Sequence, residues 1–340
     1  MTAREPNALR PSLGDRWWWI GAGIVSLLSF GFTSGFEGSS SWIFFPWFVS
    51  LLVWGLPHGA DDHEVVLRLW NRPRTWRPMA IIVLVYAGTV LAGILLWRIA
   101  PRLQFLIFIA VTLLHWGTAD LWWSWRRDPA ALPTVGRRVL FALWRGALPM
   151  LLPLAAYPEI YRRTAQSACG VFGDATDFSW LMDPQVRIAA AGVCAFLGAA
   201  DWFRAVPSAT RWLNRAESAV LAVGFLALNP VVSIGLYFTC WHGLRHVLRL
   251  TASQPGAVNR RLLTFAGRSA AMTAISLIGL LAVWLWSEST ADAFGKFGVY
   301  LILIASLTSP HAVVVIWMDL ADGLWTAGHS PPTPGALVDQ

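Results

Sequence analysis

The chain has 340 residues, of which 56% are apolar and only 13% charged, about half the ~25% of an ordinary soluble domain. That composition excludes a soluble one- or two-domain protein. The formal charge of +7 does not point to nucleic acid, because the arginines are spread through short polar segments rather than gathered in one stripe.

Apolar runs of roughly 17–25 residues, long enough to cross a ~30 Å hydrocarbon core as helix, predict an all-α, polytopic transmembrane bundle. A segment 1–16 carrying Arg4, Arg10 and Arg16 precedes the first run, 17–34. It lacks a small-residue cleavage pattern, so the run reads as a first span and not a signal. Spans follow at 42–58, 79–97, 105–122 and 139–157. A polar stretch, 158–186, carries Glu159, Asp174, Asp177 and Asp183 and has no chemical motif. Further spans lie at 187–203, 217–228, 231–250, 269–286 and 297–319. Asn229-Pro230 separates the seventh from the eighth, since proline lacks an N–H and restricts the residue before it. A turn there gives ten spans, a kink nine. The transmembrane domain covers 17–322, and the Pro-rich tail 323–340 is expected to be disordered. Cys169, Cys194 and Cys240 have no CxxC spacing and form neither a disulfide framework nor a thiolate metal site.

Basic residues set the orientation. With the N-terminus cytoplasmic and ten spans, eighteen arginines fall inside: Arg4, Arg10, Arg16, Arg68, Arg72, Arg74, Arg77, Arg126, Arg127, Arg137, Arg138, Arg204, Arg211, Arg215, Arg249, Arg260, Arg261 and Arg268. Only Arg98, Arg102, Arg162, Arg163 and Lys296 fall outside. This asymmetry predicts a plasma (inner) membrane protein with both termini in the cytoplasm.

Five of the seven histidines lie within or beside spans: His58, His115, His242, His246 and His311. All are in the latter part of even-numbered spans, hence at similar depth. Ionisable residues inside a bilayer are costly and face the bundle interior. His242 and His246, four apart, project from one helix face, and His58 and His115 would complete a four-histidine site. Imidazole suits iron, zinc and copper alike. Taken singly, each histidine is equally a packing residue; their common depth argues for a metal. His63 is expected at the cytoplasmic boundary and His329 in the tail.

Asp62, four residues after His58, and Asp120, five after His115, are candidates to orient a ligating imidazole through its second nitrogen. Alternatively they are interfacial charges paired with Arg68 or Arg126, and Asp61 has only such a surface role. Gly59, Gly117 and Gly243 beside the histidines suit close approach of a helix, a substrate or dioxygen. Most of the 22 tryptophans read as interfacial belts, while Trp116 and Trp241 can line an apolar channel.

The segments GLPHGADD, LLHWGTAD, FTCWHGLRH and PHAVVVIWMD, in this order over residues 55–319, resemble the Brp/Blh family of membrane β-carotene 15,15′-dioxygenases. The resemblance implies a non-haem Fe(II) dioxygenase that cleaves β-carotene with O2 into two all-trans-retinal molecules within the lipid bilayer, linked in function to a microbial rhodopsin. It carries the catalytic, iron-binding histidines onto His58, His115, His242 and His246, and the final motif onto His311, a candidate supporting residue with Asp62 and Asp120. HGLRH here stands where family members often have HSxRH, and PHGADDHEV is more acidic than the common PHGALD. A membrane metal or ion transporter and a non-catalytic rhodopsin accessory protein are the alternatives. A transporter needs polar groups leading to both membrane faces; an accessory protein needs no metal.

Overall fold

The computed structural model describes residues 41–173, 175–252, 254, 256–287, 292–329 and 331; the expected first span, 17–34, and most of the tail lie outside them. Among the described residues all regular structure is helical. A 3-10 turn, Ser41–Phe44, leads into α1 (Phe45–Leu52), and a second, Pro57–Gly59, precedes α2 (Asp62–Leu69). There follow α3 (Trp76–Ile99), α4 (Pro101–Arg127), α5 (Val135–Ala156), α6 (Pro158–Cys169), α7 (Pro184–Phe203) and α8 (Arg211–Ala227). α9 (Pro230–Leu236) passes through a π-helical turn, Tyr237–Gly243, into α10 (Leu244–Thr251), and α11 (Val258–Trp286) and α12 (Ala293–Ala321) complete the bundle. Seven segments are long and apolar enough to cross a membrane: Trp42–Leu69 taken as one, α3, α4, α5, α7, α11 and α12.

α12 is the central post, packed against α2, α3, α4, α6 and α11. The tightest pairing is α4 on α5, and its cause is two glycines. A Cβ on Gly117 would fall on the carbonyl of Ala142, and one on Gly146 on the carbonyl of Leu113, so the backbones approach as small residues permit within membranes.

The second expected span, 42–58, is not a simple helix. It breaks after Leu52 and resumes as α2 as far as Leu69. Pro57 has no N–H to continue the ladder, the Leu56 N–H instead reaches the Ser50 carbonyl at 2.7 Å, and Gly55 packs against Ser50 and Phe238 without room for a side chain. The Ser50 hydroxyl and Tyr300 hydroxyl, 2.6 Å apart, tie the break to α12.

At Asn229-Pro230 the chain turns. Leu228 is extended (ψ 150°), and the Asn229 side chain accepts the Val231 N–H at 2.9 Å, capping α9.

The polar stretch 158–186 forms α6 and short turns that enter the core: Ala165, Cys169 and Phe178 are buried. At its exposed edge the Ser179 hydroxyl and backbone N–H donate to Asp177 and hold that carboxyl below the usual range. At the other end of the chain Leu324 is buried, and Arg138 donates to the carbonyls of Leu324 and Thr326.

Candidate metal centre

Five elements deliver one imidazole each to a common point. His58 stands in the 3-10 turn after the break, His115 in α4, His242 in the π-helical turn, His246 in α10, and His311 directly after Pro310 in α12. All five are buried. The His58 ring lies 4.7 Å from that of His311, 5.2 Å from His242 and 5.4 Å from His246, centroid to centroid. His115 lies 4.8 Å from His242 and 4.9 Å from His311, and His246 lies 5.0 Å from His311.

Hydrogen bonds fix which nitrogen of His58 and of His311 faces the centre. His58 Nδ1 is held by the carbonyls of Gly55 and Trp54, the latter at 3.1 Å, which leaves Nε2 as its free acceptor. His311 Nδ1 bonds to Asp62 at 2.9 Å, and Asp62 in turn accepts the Tyr86 hydroxyl at 3.1 Å. Among the described residues, His242 Nδ1, His246 Nε2 and His311 Nε2 are buried and have no partner. His115 Nε2 and His242 Nε2 stand 3.1 Å apart. Two imidazole lone pairs face each other at that distance only across a shared proton or a shared cation.

These features fit a metal ion. Ligand atoms of His58, His115, His242 and His311 all lie within 4.8 Å of one another, and those of Asp62, His246 and His311 form an adjoining group. Buried polar nitrogens without partners are costly, and a cation among them satisfies several at once. Of the four histidines expected as ligands, His58, His115 and His242 share one group with His311, while His246 falls in the adjoining group with Asp62 and the same His311.

Asp62 holds His311, not His58 four residues before it. Asp120 bonds to no histidine. It accepts Arg145 at 2.6 Å, Arg245 at 2.7 Å and the Trp241 indole N–H at 2.9 Å. Glu217 of α8 stands beside the same two arginines, at 3.5 and 3.3 Å, and pairs with Arg127 at 2.8 Å. This buried network joins α4, α5, α8 and α10, so it fixes His115 relative to His242 and His246 from behind. The interfacial pairing with Arg68 or Arg126 does not occur for either aspartate, because both carboxylates point into the bundle.

Asp61 is also buried and pairs with Arg268 at 2.6 Å. His63 is buried, with Nδ1 on the Ala60 carbonyl at 3.0 Å. Arg249 clamps Asp319 at 2.7 Å and Asp322 at 2.8 Å, tying α10 to the end of α12.

Of the three glycines, Gly117 serves helix contact, Gly243 abuts the Trp54 carbonyl, and only Gly59 faces an imidazole, that of His311. Tyr86 had no signal in the sequence; Arg145 and Arg245 were visible as charges within apolar runs.

The histidines open on a cavity of ≈ 300 Å³ lined by His58, His115, His242 and His311, by Trp116 and Phe238, and by apolar residues of α3, α11 and α12. Val83, Leu91 and Ile275 line it while themselves exposed, so its mouth lies on the face of the bundle that meets lipid. Trp116 and Phe238 stack at 5.9 Å beside His242.

Comparison with known proteins agrees with this geometry. A family model described as beta-carotene 15,15′-dioxygenase matches residues 49–319. The chain is 34% identical to the probable beta-carotene 15,15′-dioxygenase Blh of Halobacterium salinarum, covering 95% of this chain and 97% of the relative. It is 23% identical to the probable beta-carotene 15,15′-dioxygenase Brp of the same species, over 82% and 84%. A beta-carotene 15,15′-dioxygenase of an uncultured marine bacterium is 33% identical over 19% of this chain and 24% of its own. No solved structure matches. A match over most of the chain, spanning every histidine of the cluster, means that the chain belongs to the β-carotene 15,15′-dioxygenase family.

Proposed function

We propose that the protein is an integral-membrane, iron-dependent dioxygenase that cleaves the central 15,15′ double bond of β-carotene with O2, giving two all-trans-retinal molecules. The observation that carries this reading is the cage of five buried imidazoles with partnerless nitrogens, opening on an apolar, lipid-facing cavity. His58, His115, His242 and His246 hold the metal, and His311, fixed by Asp62, presents its free Nε2 to the same ion. Iron is favoured over zinc because oxidative cleavage needs a redox-active metal, which zinc is not. Bound there, Fe(II) supplies the redox centre at which O2 meets the polyene.

The chain's own residues do the rest. A long hydrocarbon dissolved in the bilayer reaches the cavity sideways between the exposed flanks of α3 and α11, without crossing water. Trp116 and Phe238 present flat faces to a planar polyene and hold its double bond beside the imidazoles. The apolar walls keep water from the reacting carbons. No general acid or base is required. The arginine asymmetry supports a plasma-membrane location with both termini cytoplasmic, and retinal as product supports a functional link to a rhodopsin.

Expression in a β-carotene-producing bacterium tests the reading. The pigment should fade as retinal appears, purified protein should carry about one iron per chain, and ¹⁸O2 should label both aldehydes when they are trapped before exchange. His242→Ala should abolish cleavage and iron binding with the fold retained. Unchanged pigment with well-folded, iron-loaded protein would sink the proposal.

A further inference from the structure

α3 brings no histidine to the cluster. Its central stretch, from Ile81 to Leu96, is apolar except for Tyr86 and Thr89. Thr89 satisfies its hydroxyl within its own helix, donating to the Val85 carbonyl at 2.9 Å. Tyr86 turns inward instead, and its hydroxyl donates to Asp62 Oδ2 at 3.1 Å and towards the Leu307 carbonyl at 3.4 Å. Gly93, two turns further on and so on the same helix face, lies against α12, where a Cβ would come within 3.2 Å of the Ser306 side chain. α3 and α12 are thereby held close, and the phenol has a fixed distance to cross.

The carboxylate it reaches is unlike the others buried nearby. Asp61, Asp120 and Asp319 each face an arginine, whereas Asp62 is met by an imidazole and a phenol. A carboxylate buried without donors is costly, so both contacts matter to it. They do different things. Asp62 Oδ1 and Oδ2 stand 3.0 and 2.9 Å from His311 Nδ1, so the imidazole does not choose between the two oxygens. Tyr86 bonds to Oδ2 and makes that choice. On the other side the Gly59 backbone closes in, where even a Cβ would lie 3.4 Å from His311 Nδ1 and 3.9 Å from Asp62 Oδ2.

The geometry points to Tyr86 as a positioning residue for the metal centre: by fixing the Asp62 carboxylate it sets the plane of the His311 ring, and with it the direction in which Nε2 faces the ion. The inference rests on the metal reading proposed above. Carboxylates commonly orient ligating imidazoles through their second nitrogen; here the carboxylate has an orienting donor of its own, supplied by a helix that otherwise meets lipid. The Tyr86 ring also lines the cavity, so the ring is wall and the hydroxyl is support.

Tyr86→Phe separates the two, since it keeps the ring and removes the hydroxyl. Full-length variant in micelles, stripped of metal and reloaded with Fe(II), should hold iron about tenfold less tightly than wild type in competition with a chelator. With Co(II) loaded in place of iron, the visible absorption bands, which report ligand geometry, should move. In an Asp62→Asn background the same exchange should alter neither reading further, because the hydroxyl acts through the carboxylate. With β-carotene, kcat should fall while KM stays at the wild-type value. Wild-type iron affinity and cobalt bands in Tyr86→Phe overturn the proposal, as does tighter iron binding. An undiminished effect in the Asp62→Asn background overturns it too, by making the residue a packing group, and a raised KM at unchanged kcat overturns it by making the hydroxyl a substrate contact. If Tyr86→Phe is too unstable to load, a ring-fluorinated tyrosine in place of Tyr86 keeps the hydroxyl and alters its acidity; unmoved cobalt bands then overturn the proposal. Wild-type protein that binds neither iron nor cobalt overturns the metal reading itself.

Discussion

α3 and α12 are both long, strongly apolar helices, yet 6% of the membrane-spanning window of α3 is buried inside the bundle and 72% of that of α12. The outer face of α3 is open at Leu84 and Val85. α12 carries Gly298 against α6, Ser306 against Gly93 of α3, and the polar His311 and Asp319. The contrast shows what decides burial when the solvent is hydrocarbon. Apolar surface gives no reason to leave lipid, so close contact through small residues and pairing of polar ones determine which helix lies at the centre.

Three measurements can break or sharpen that contrast. The largest effect is expected from Asp120→Ala, which leaves Arg145 and Arg245 buried with half their counter-charge removed. Losing one partner of a buried ionic network costs about 3–5 kcal/mol, which should appear as a marked fall in thermal unfolding temperature in micelles. Stability equal to wild type would mean that the network does not order the centre.

Next is Asp62→Asn, which keeps the shape but removes the charge opposite His311 Nδ1. Iron affinity should weaken by roughly 10–100-fold, as for other carboxylates that orient a metal-facing histidine, read by competition with a chelator. Undiminished affinity would place His311 outside the metal's reach.

The smallest effect belongs to Leu84→Ala on the exposed face of α3. Stability should stay within about 0.5 kcal/mol of wild type, with cleavage unaltered. A loss of several times that size would reveal a partner covering the face.

Much of this was legible beforehand. The nine expected spans that fall among the described residues each correspond to a helix or composite helix, because a bilayer demands long apolar segments with internally bonded backbones. The meeting of His58, His115, His242, His246 and His311 was legible for a related reason: an imidazole within an apolar run must find an interior partner. What stayed hidden was pairing across long separations. Nothing near Asp120 in sequence announces Arg145 or Arg245, whereas Arg126 is close in sequence and wrong in space. The burial of Asp61, Asp62 and His63 was missed because a run of charged residues after an apolar span looks like its aqueous end. The break after Leu52 had a visible cause in Gly55 and Pro57, but its effect, turning His58 inward, depends on packing against Phe238.

The wide turn Tyr237–Gly243 sets one more constraint, on the number of residues and not their identity. Removing a single position there would return the segment to ordinary helical winding and rotate everything before it by about 100° relative to His246. Trp47, which packs on Gly235 and Phe238, would lose its seat, and Phe238 would swing away from Trp116. A one-residue deletion at Thr239 or Cys240 is thus a graver lesion than any side-chain exchange at either place, and engineering that preserves chain length through this stretch preserves the geometry on which the histidines converge.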